Sequence, residues 1–190
     1  GAAEAVVRVE TAAGIRWHEI AARVCHDAVD GRPAWLVSET DVTDRKLAED
    51  RIRFVAHHDL LTGLPNRILL QNEVERRLTV AAAAGERVGL LFIDLDRFKT
   101  INDSLGHGHG DQLLGEVARR LTRAVRKDDF VARLGGDEFV LLLEELASPR
   151  ESIQAVQRVR QALSRPLVVD GHEIQLTASL GITLGTLDAE

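Results

Sequence analysis

The stretch Phe130-Val131-Ala132-Arg133-Leu134-Gly135-Gly136-Asp137-Glu138-Phe139-Val140-Leu141-Leu142-Leu143 holds two apolar runs, Phe130–Leu134 and Phe139–Leu143, around Gly-Gly-Asp-Glu. Two short apolar runs joined by a glycine pair predict a β-hairpin. Its tip carries two carboxylates, Asp137 and Glu138. Upstream, Val88–Leu95 is a nearly unbroken apolar run, which predicts a strand covered on both faces. Asp94 and Asp96 close that run and Lys99 follows. If the two strands are neighbours, three or four carboxylates converge at one edge of a sheet. Such a cluster repels itself unless it is protonated or holds a cation, and hard oxygen ligands favour Mg²⁺. Carboxylate-bound Mg²⁺ beside bare glycine backbone suits a nucleoside triphosphate. The plainer alternative is a tight hairpin beside a solvated strand end.

Outward from this pair, helical and strand periods alternate. Asn66 is placed to cap a helix running to about Ala83, after a turn at Thr62–Pro65. Leu113, Leu114, Val117, Leu121 and Val125 share one face of a helix over Asp111–Val125, and Glu151–Leu163 is a further amphipathic helix. Leu167–Asp170 and Glu173–Leu184 read as strands around Gly171. The fold class expected is α+β, with helices against a mixed or antiparallel sheet. In front, Ala5–Glu10, Ile15–Val24 and Ala34–Val42 read as three short strands, with turn residues from Asp27 to Pro33. They are too few for an independent core. Lys46–His57 turns helical, with Ala48, Ile52 and Val55 on one face, suited to pairing with its own copy.

Composition narrows the function classes. Among 190 residues, 24 Lys+Arg stand against 30 Asp+Glu, a net charge of −6, which disfavours nucleic-acid binding. With 45% hydrophobic and 28% charged residues the chain is expected to be globular. No apolar run approaches the ~20 residues that span a bilayer, so no membrane contact is expected of this segment. The lone Cys25 fits a reducing, cytoplasmic setting, with any membrane tether of a parent protein out of view. A chain that opens at Gly1 and has no Met reads as an excised piece. His107 and His109 flank Gly108 without a Cys or third His at zinc spacing, so a metal role for them is set aside.

Gly135-Gly136-Asp137-Glu138-Phe139 resembles the signature of the GGDEF family of diguanylate cyclases. Asp59-Leu60-Leu61-Thr62-Gly63-Leu64-Pro65-Asn66-Arg67 resembles its opening motif. Asp94 to Asp103 and Gly106 to Asp111 resemble its nucleotide-binding segments. The resemblance covers roughly residues 57 to 186. It implies a palm-like sheet, mixed but mainly antiparallel, with flanking helices as in nucleotide cyclases. It also implies condensation of two GTP molecules into cyclic di-GMP with release of two pyrophosphates.

By position, the resemblance makes Asp94, Asp137 and the Leu95 carbonyl ligands of Mg²⁺, or of Mn²⁺ in its place. Lys99, with backbone around Phe98, Gly135 and Gly136, would meet the phosphates. Glu138 is the candidate to assist deprotonation of the attacking 3′-hydroxyl. Asn102 and Asp111 would read guanine, whose N1–H and N2–H match a carboxylate where adenine has no donor. Asn102 has a second reading as a helix-breaking cap, and Asp111 as N-cap of the Leu113–Val125 helix. One such unit holds one GTP, so catalysis implies a face-to-face homodimer. Arg126 and Asp129, in Arg126-Lys127-Asp128-Asp129, stand at the family's offset for a product-inhibition site, though a charge run ending a helix would look the same. Cyclic di-GMP would then be both product and allosteric ligand.

The front segment resembles the last strands of a PAS sensor, with Asp41-Val42-Thr43-Asp44-Arg45-Lys46 as its exit. The organisation expected is 1–45 PAS tail, 46–57 signalling helix and 58–190 GGDEF domain. The family's last helix, with a phosphate-touching Lys and Arg, has no counterpart before Glu190, so these 190 residues alone are expected to be a poor cyclase. The alternative is a GTP- or cyclic di-GMP-binding module that regulates a downstream phosphodiesterase domain.

Overall fold

The computed structural model describes residues 2–12, 14–26, 29, 31–144 and 149–185. The chain divides into two units, Gly1–Phe54 and Val55–Glu190. In the first, β1 (Ala2–Thr11), β2 (Gly14–His26) and β3 (Pro33–Asp41) form an antiparallel sheet in the order β1-β2-β3. None of the described residues in these strands is fully buried, and Trp35 and Val37 on β3 are open to solvent. Of the turn expected from Asp27 to Pro33, Asp27, Ala28 and Asp30 lie outside the described residues. The sheet ends in a latch. Trp17 N–H donates to Thr43 Oγ1 at 2.9 Å, Val42 N–H to the Trp17 carbonyl at 2.8 Å and Thr43 N–H to Asp41 Oδ1 at 2.8 Å. Thr43 opens α1 (Thr43–His57), three residues earlier than its apolar period suggests.

The second unit is built on a four-stranded antiparallel sheet in the order β5-β6-β4-β9, from β4 (Val88–Leu95), β5 (Phe130–Gly135), β6 (Glu138–Leu143) and β9 (Ala178–Gly185). Every pairing in it is antiparallel. Leu91, Ile93 and Leu95 point to one face, against α4 (His107–Ala124) and α5 (Pro149–Ser164). Leu113, Val117 and Leu121 of α4 are wholly buried there. The other face is covered by α2 (Arg67–Ala84), whose Leu70 and Ala81 pack on Ala132, Val140 and Leu142. Asn66 does cap α2: its Oδ1 accepts from Ile68 N–H at 3.0 Å and Leu69 N–H at 3.1 Å. Gly85, at φ +68°, closes the helix in the left-handed conformation that lets its N–H meet the last carbonyls.

Four expectations are corrected. β4 is not covered on both faces: Phe92 is 47% exposed and lies outside the apolar cluster that α2 forms with the sheet. The segment expected as one strand over Glu173–Leu184 is two, β8 (His172–Ile174) and β9, in different sheets. β7 (Leu167–Val169) pairs with β8 through an Asp170-Gly171 turn, with φ of +47° and +81°. The helix expected from Asp111 begins at His107, so Asp111 lies in its second turn and caps nothing. Asn102 breaks no helix either. It lies within α3 (Phe98–Leu105), and Gly106 forms the break.

Candidate active site

Antiparallel pairing sets the end of β4 beside the start of β6. Asp94 lies opposite Glu138 in the register, and Leu95 N–H donates to the Asp137 carbonyl at 3.3 Å. The two acidic points of the sequence are thus one cluster. Burial, then the charges of Asp137, Glu138 and Asp96, push the Asp94 carboxyl above its ordinary value. Asp96 is bonded to its neighbours instead. Its carboxylate accepts from Thr177 Oγ1 at 2.6 Å and Ser179 Oγ at 2.8 Å, and these bonds hold it below the usual carboxylate range. Asp96 therefore pins the approach to β9 against the end of β4.

The glycine turn is tightly made. Gly135 and Gly136 have φ of +140° and +52°, and the register shifts between Arg133 and Gly135. Arg133 is buried beneath it, 7% exposed. Its Nη2 and Nε donate to the Gly136 carbonyl at 2.7 and 3.1 Å, and its Nη1 to Asp59 Oδ1 at 2.8 Å. Asp59 also accepts from Thr62 N–H at 2.9 Å and Thr62 Oγ1 at 2.6 Å. Burial raises its carboxyl, but Thr62 and Arg133 together hold it below its ordinary value. The opening motif at Asp59–Arg67 is thereby joined to the acidic turn. Sequence reasoning missed Arg133; its only signal was a lone cation inside an apolar strand.

Two cavities meet at Asp94. One of about 570 Å³ lies over the open face of the sheet, lined by Arg67, Phe92, Asp94 and Glu138. The other, of about 840 Å³, is lined by Asp94, Asp96, Arg97 and Thr100 beside Ile174 and Thr177. Arg97 sits at φ +58° and no side chain caps α3, which leaves the first N–H groups of that helix for an anion. Phe98 turns its ring into the core, at 8% exposed, while Lys99 is exposed. At the α3–α4 corner, the buried Asn102 Oδ1 has no hydrogen-bond partner. It fills the space where a Cβ on Gly110 would sit, at 1.8 Å, so Asn102 lies against the neighbour of Asp111. Among the described residues no group of three or more His, Cys, Asp or Glu side chains is gathered as a ready metal cage.

Arg126 and Asp129 close their own turn: Asp129 Oδ2 accepts from Arg126 N–H at 2.8 Å, and Asp129 N–H donates to the Arg126 carbonyl at 3.2 Å. The Arg126 guanidinium is half exposed and lies 3.6 Å from Glu151.

Residues 56–190 match the family model described as diguanylate cyclase, GGDEF domain. The chain belongs to that family. The chain is 40% identical over 161 residues to the bifunctional diguanylate cyclase/cyclic di-GMP phosphodiesterase MucR of Pseudomonas aeruginosa, covering 85% of this chain and 23% of MucR. It is 42% identical over 130 residues to the diguanylate cyclase TpbB of the same organism, covering 68% of this chain and 30% of TpbB. The solved structure of a TpbB variant comprising only the GGDEF domain superposes with a TM-score of 0.66 at 42% identity, covering 67% of this chain and 75% of that one. The coiled coil and GGDEF domain of DgcB from Caulobacter crescentus, solved with c-di-GMP, has a TM-score of 0.67 at 28% identity, covering 76% of this chain and 78% of that one. The α+β, palm-like fold expected from the GGDEF resemblance is the fold found. No helix among the described residues is long and apolar enough to cross a membrane.

Proposed function

We propose that this chain is the catalytic unit of a diguanylate cyclase, condensing two GTP molecules into cyclic di-GMP with release of two pyrophosphates. The observation that carries this reading is the pairing of Asp94 with Glu138, which gathers carboxylates from two strands at the glycine turn. Asp94 and Asp137, with the Leu95 carbonyl, are the residues to hold Mg²⁺ or Mn²⁺. The donor set fits, being all oxygen, and the repulsion felt by Asp94 is what a divalent cation would relieve. When bound, the ion offsets phosphate charge.

The protein's own groups supply position. The free N–H groups at the start of α3, at Phe98 and Lys99, and the Lys99 ammonium bind the phosphate chain. The backbone of Gly135 and Gly136 approaches it without side chains. Asn102 and Asp111 read guanine, a role supported by the partnerless Asn102 Oδ1, which needs a donor. Glu138 assists removal of the 3′-hydroxyl proton. Each domain holds one GTP, and the hydroxyl of one must reach the α-phosphate of the other, so the active form is a face-to-face homodimer. Arg126 and Asp129 bind the product and restrain the enzyme. The front sheet and its Asp41–Thr43 latch support a PAS tail over 1–45 that passes a signal through the helix of 46–57 to the domain of 58–190.

A second reading draws on the likeness to MucR, which joins cyclase and phosphodiesterase activities. In it the domain binds GTP or cyclic di-GMP and regulates a phosphodiesterase partner domain. One experiment separates the two: the full-length protein and its Asp137→Ala variant, incubated with GTP and Mg²⁺, with cyclic di-GMP resolved by chromatography. Synthesis lost in the variant supports the cyclase. Unchanged synthesis overturns it, and loss of phosphodiesterase activation alone supports the second reading.

A further inference from the structure

A groove of about 480 Å³ runs between α4 and α5, and its wall is dominated by arginine. α5 lies antiparallel along α4: Arg158 Nε donates to the Ala124 carbonyl at 3.3 Å at one end, and Arg120 Nη2 to the Pro166 carbonyl at 2.7 Å at the other. Arg119, Arg120, Arg123, Arg158 and Arg165 line the space between, with Glu116 as its one carboxylate. Five cations face one anion in a chain whose net charge is −6.

Three of the five already make contacts, Arg158 through its Nε alone. Arg119 forks onto Glu116, its Nε at 2.7 Å, and Arg120 gives its Nε to the same carboxylate at 2.9 Å. The remaining nitrogens of Arg120 hold the carbonyls of Ala162, Arg165 and Pro166, stapling the two helices together. Arg123 and Arg165 have no ion pair or side-chain hydrogen bond among the described residues. Like charges crowded in a concave site raise the local potential and attract a counter-anion. Glu116 shows the form this takes, an oxyanion held by forked N–H groups.

The lining also selects the anion. It contains no aromatic ring, and its apolar members are Ala124 and Ala162, so a nucleobase has no surface to stack on. An extended acidic peptide would lack the apolar anchors that carry binding at protein interfaces. A compact, multiply charged oxyanion touches both helices at once, and guanidinium matches phosphate oxygens two at a time.

We propose that the α4–α5 groove is an oligophosphate-binding site, taking inorganic pyrophosphate or the phosphate chain of a nucleotide on Arg123, Arg158 and Arg165. The bound anion bridges the helices and relieves their repulsion. The site requires neither Asp94 nor a metal, so it stands independently of the cyclase reading.

The test is calorimetric titration of pyrophosphate into the chain in EDTA, where the acidic cluster has no cation to attract it. Saturable binding is expected, with a rise in melting temperature. Replacing both Arg123→Gln and Arg165→Gln weakens that binding by roughly tenfold or more per guanidinium removed, with the unliganded melting temperature retained. Lys99→Ala and Arg126→Ala bind as the parent does, which excludes the other two sites. Displacement by GTP and ATP alike assigns the phosphate chain of nucleotides as a ligand too, and its absence assigns free pyrophosphate. Undiminished binding in the double variant, binding of guanosine, or an effect matched by sodium chloride at equal ionic strength overturns the proposal.

Discussion

Arg133 Nη1 lies 2.8 Å from Asp59 Oδ1, a part-buried ion pair that ties residues 74 positions apart and sits directly under the glycine turn. Through Nη2 and Nε the same guanidinium holds the Gly136 carbonyl. One side chain thus fixes the acidic turn to the motif that opens the domain. Removing it takes the guanidinium donors from a half-buried carboxylate and from the Gly136 carbonyl. We predict that Arg133→Ala destabilises the domain by roughly 1–3 kcal/mol and abolishes GTP turnover. Arg133→Lys keeps the charge but loses the fork, and is expected to retain folding with turnover well below the parent. Thermal melts and product formation read the two effects; a Lys variant with parental turnover would discount the clamp.

Gly110 leaves room for Asn102. A Cβ there would stand 1.8 Å from Asn102 Oδ1 and 3.3 Å from the Phe98 ring. Gly110→Ala is therefore expected to displace the Asn102 amide and cost about 1–3 kcal/mol of stability through overpacking. If Asn102 reads the base, KM for GTP rises more than kcat falls. Steady-state kinetics at graded GTP provide the check.

The Asp94 carboxyl is pushed up by burial and by Asp137, Glu138 and Asp96. Mg²⁺ with a non-hydrolysable GTP analogue is expected to raise the melting temperature of the parent chain and to leave Asp94→Asn unmoved. A parental response from the variant would remove Asp94 from the metal-binding set.

Acid lability should centre on Glu73. Hydrogen bonding from Arg76, and then from Arg77 against the opposing effect of burial, lowers its carboxyl from 4.5 to about 2. A carboxyl lowered on folding contributes stability that is fully present above its unfolded value, near 4.5, and is lost as pH falls through about 2. Arg77 also meets Glu144 at 2.8 Å and the Asp128 carbonyl at 2.6 Å, so the loss loosens the turn that carries Arg126 and Asp129. Urea unfolding at pH 6, 4 and 3 should show falling stability in the parent and a shallower fall in Glu73→Gln.

The sequence by itself determined the local pieces. Apolar runs at Val88–Leu95, Phe130–Leu134 and Phe139–Leu143 became strands almost to the residue, and Asn66 capped α2 as its side chain dictates. Motif spacing carried the family and the acidic cluster. These are short-range matters of backbone preference, side-chain period and residue order. Where α4 begins was misread because Gly106, His107, Gly108 and Gly110 are poor helix formers, and the α3–α4 packing overrides them. Tertiary structure alone decided which carboxylates are bound to neighbouring side chains and which stand open. Asp94 stands open opposite Glu138, while Asp96, two residues on, is consumed by Thr177 and Ser179. It alone set Arg133 under the turn and gathered arginines of α4 and α5 along one groove. A side chain's partners come from segments far off in the chain, so its charge is legible in sequence and its employment is not.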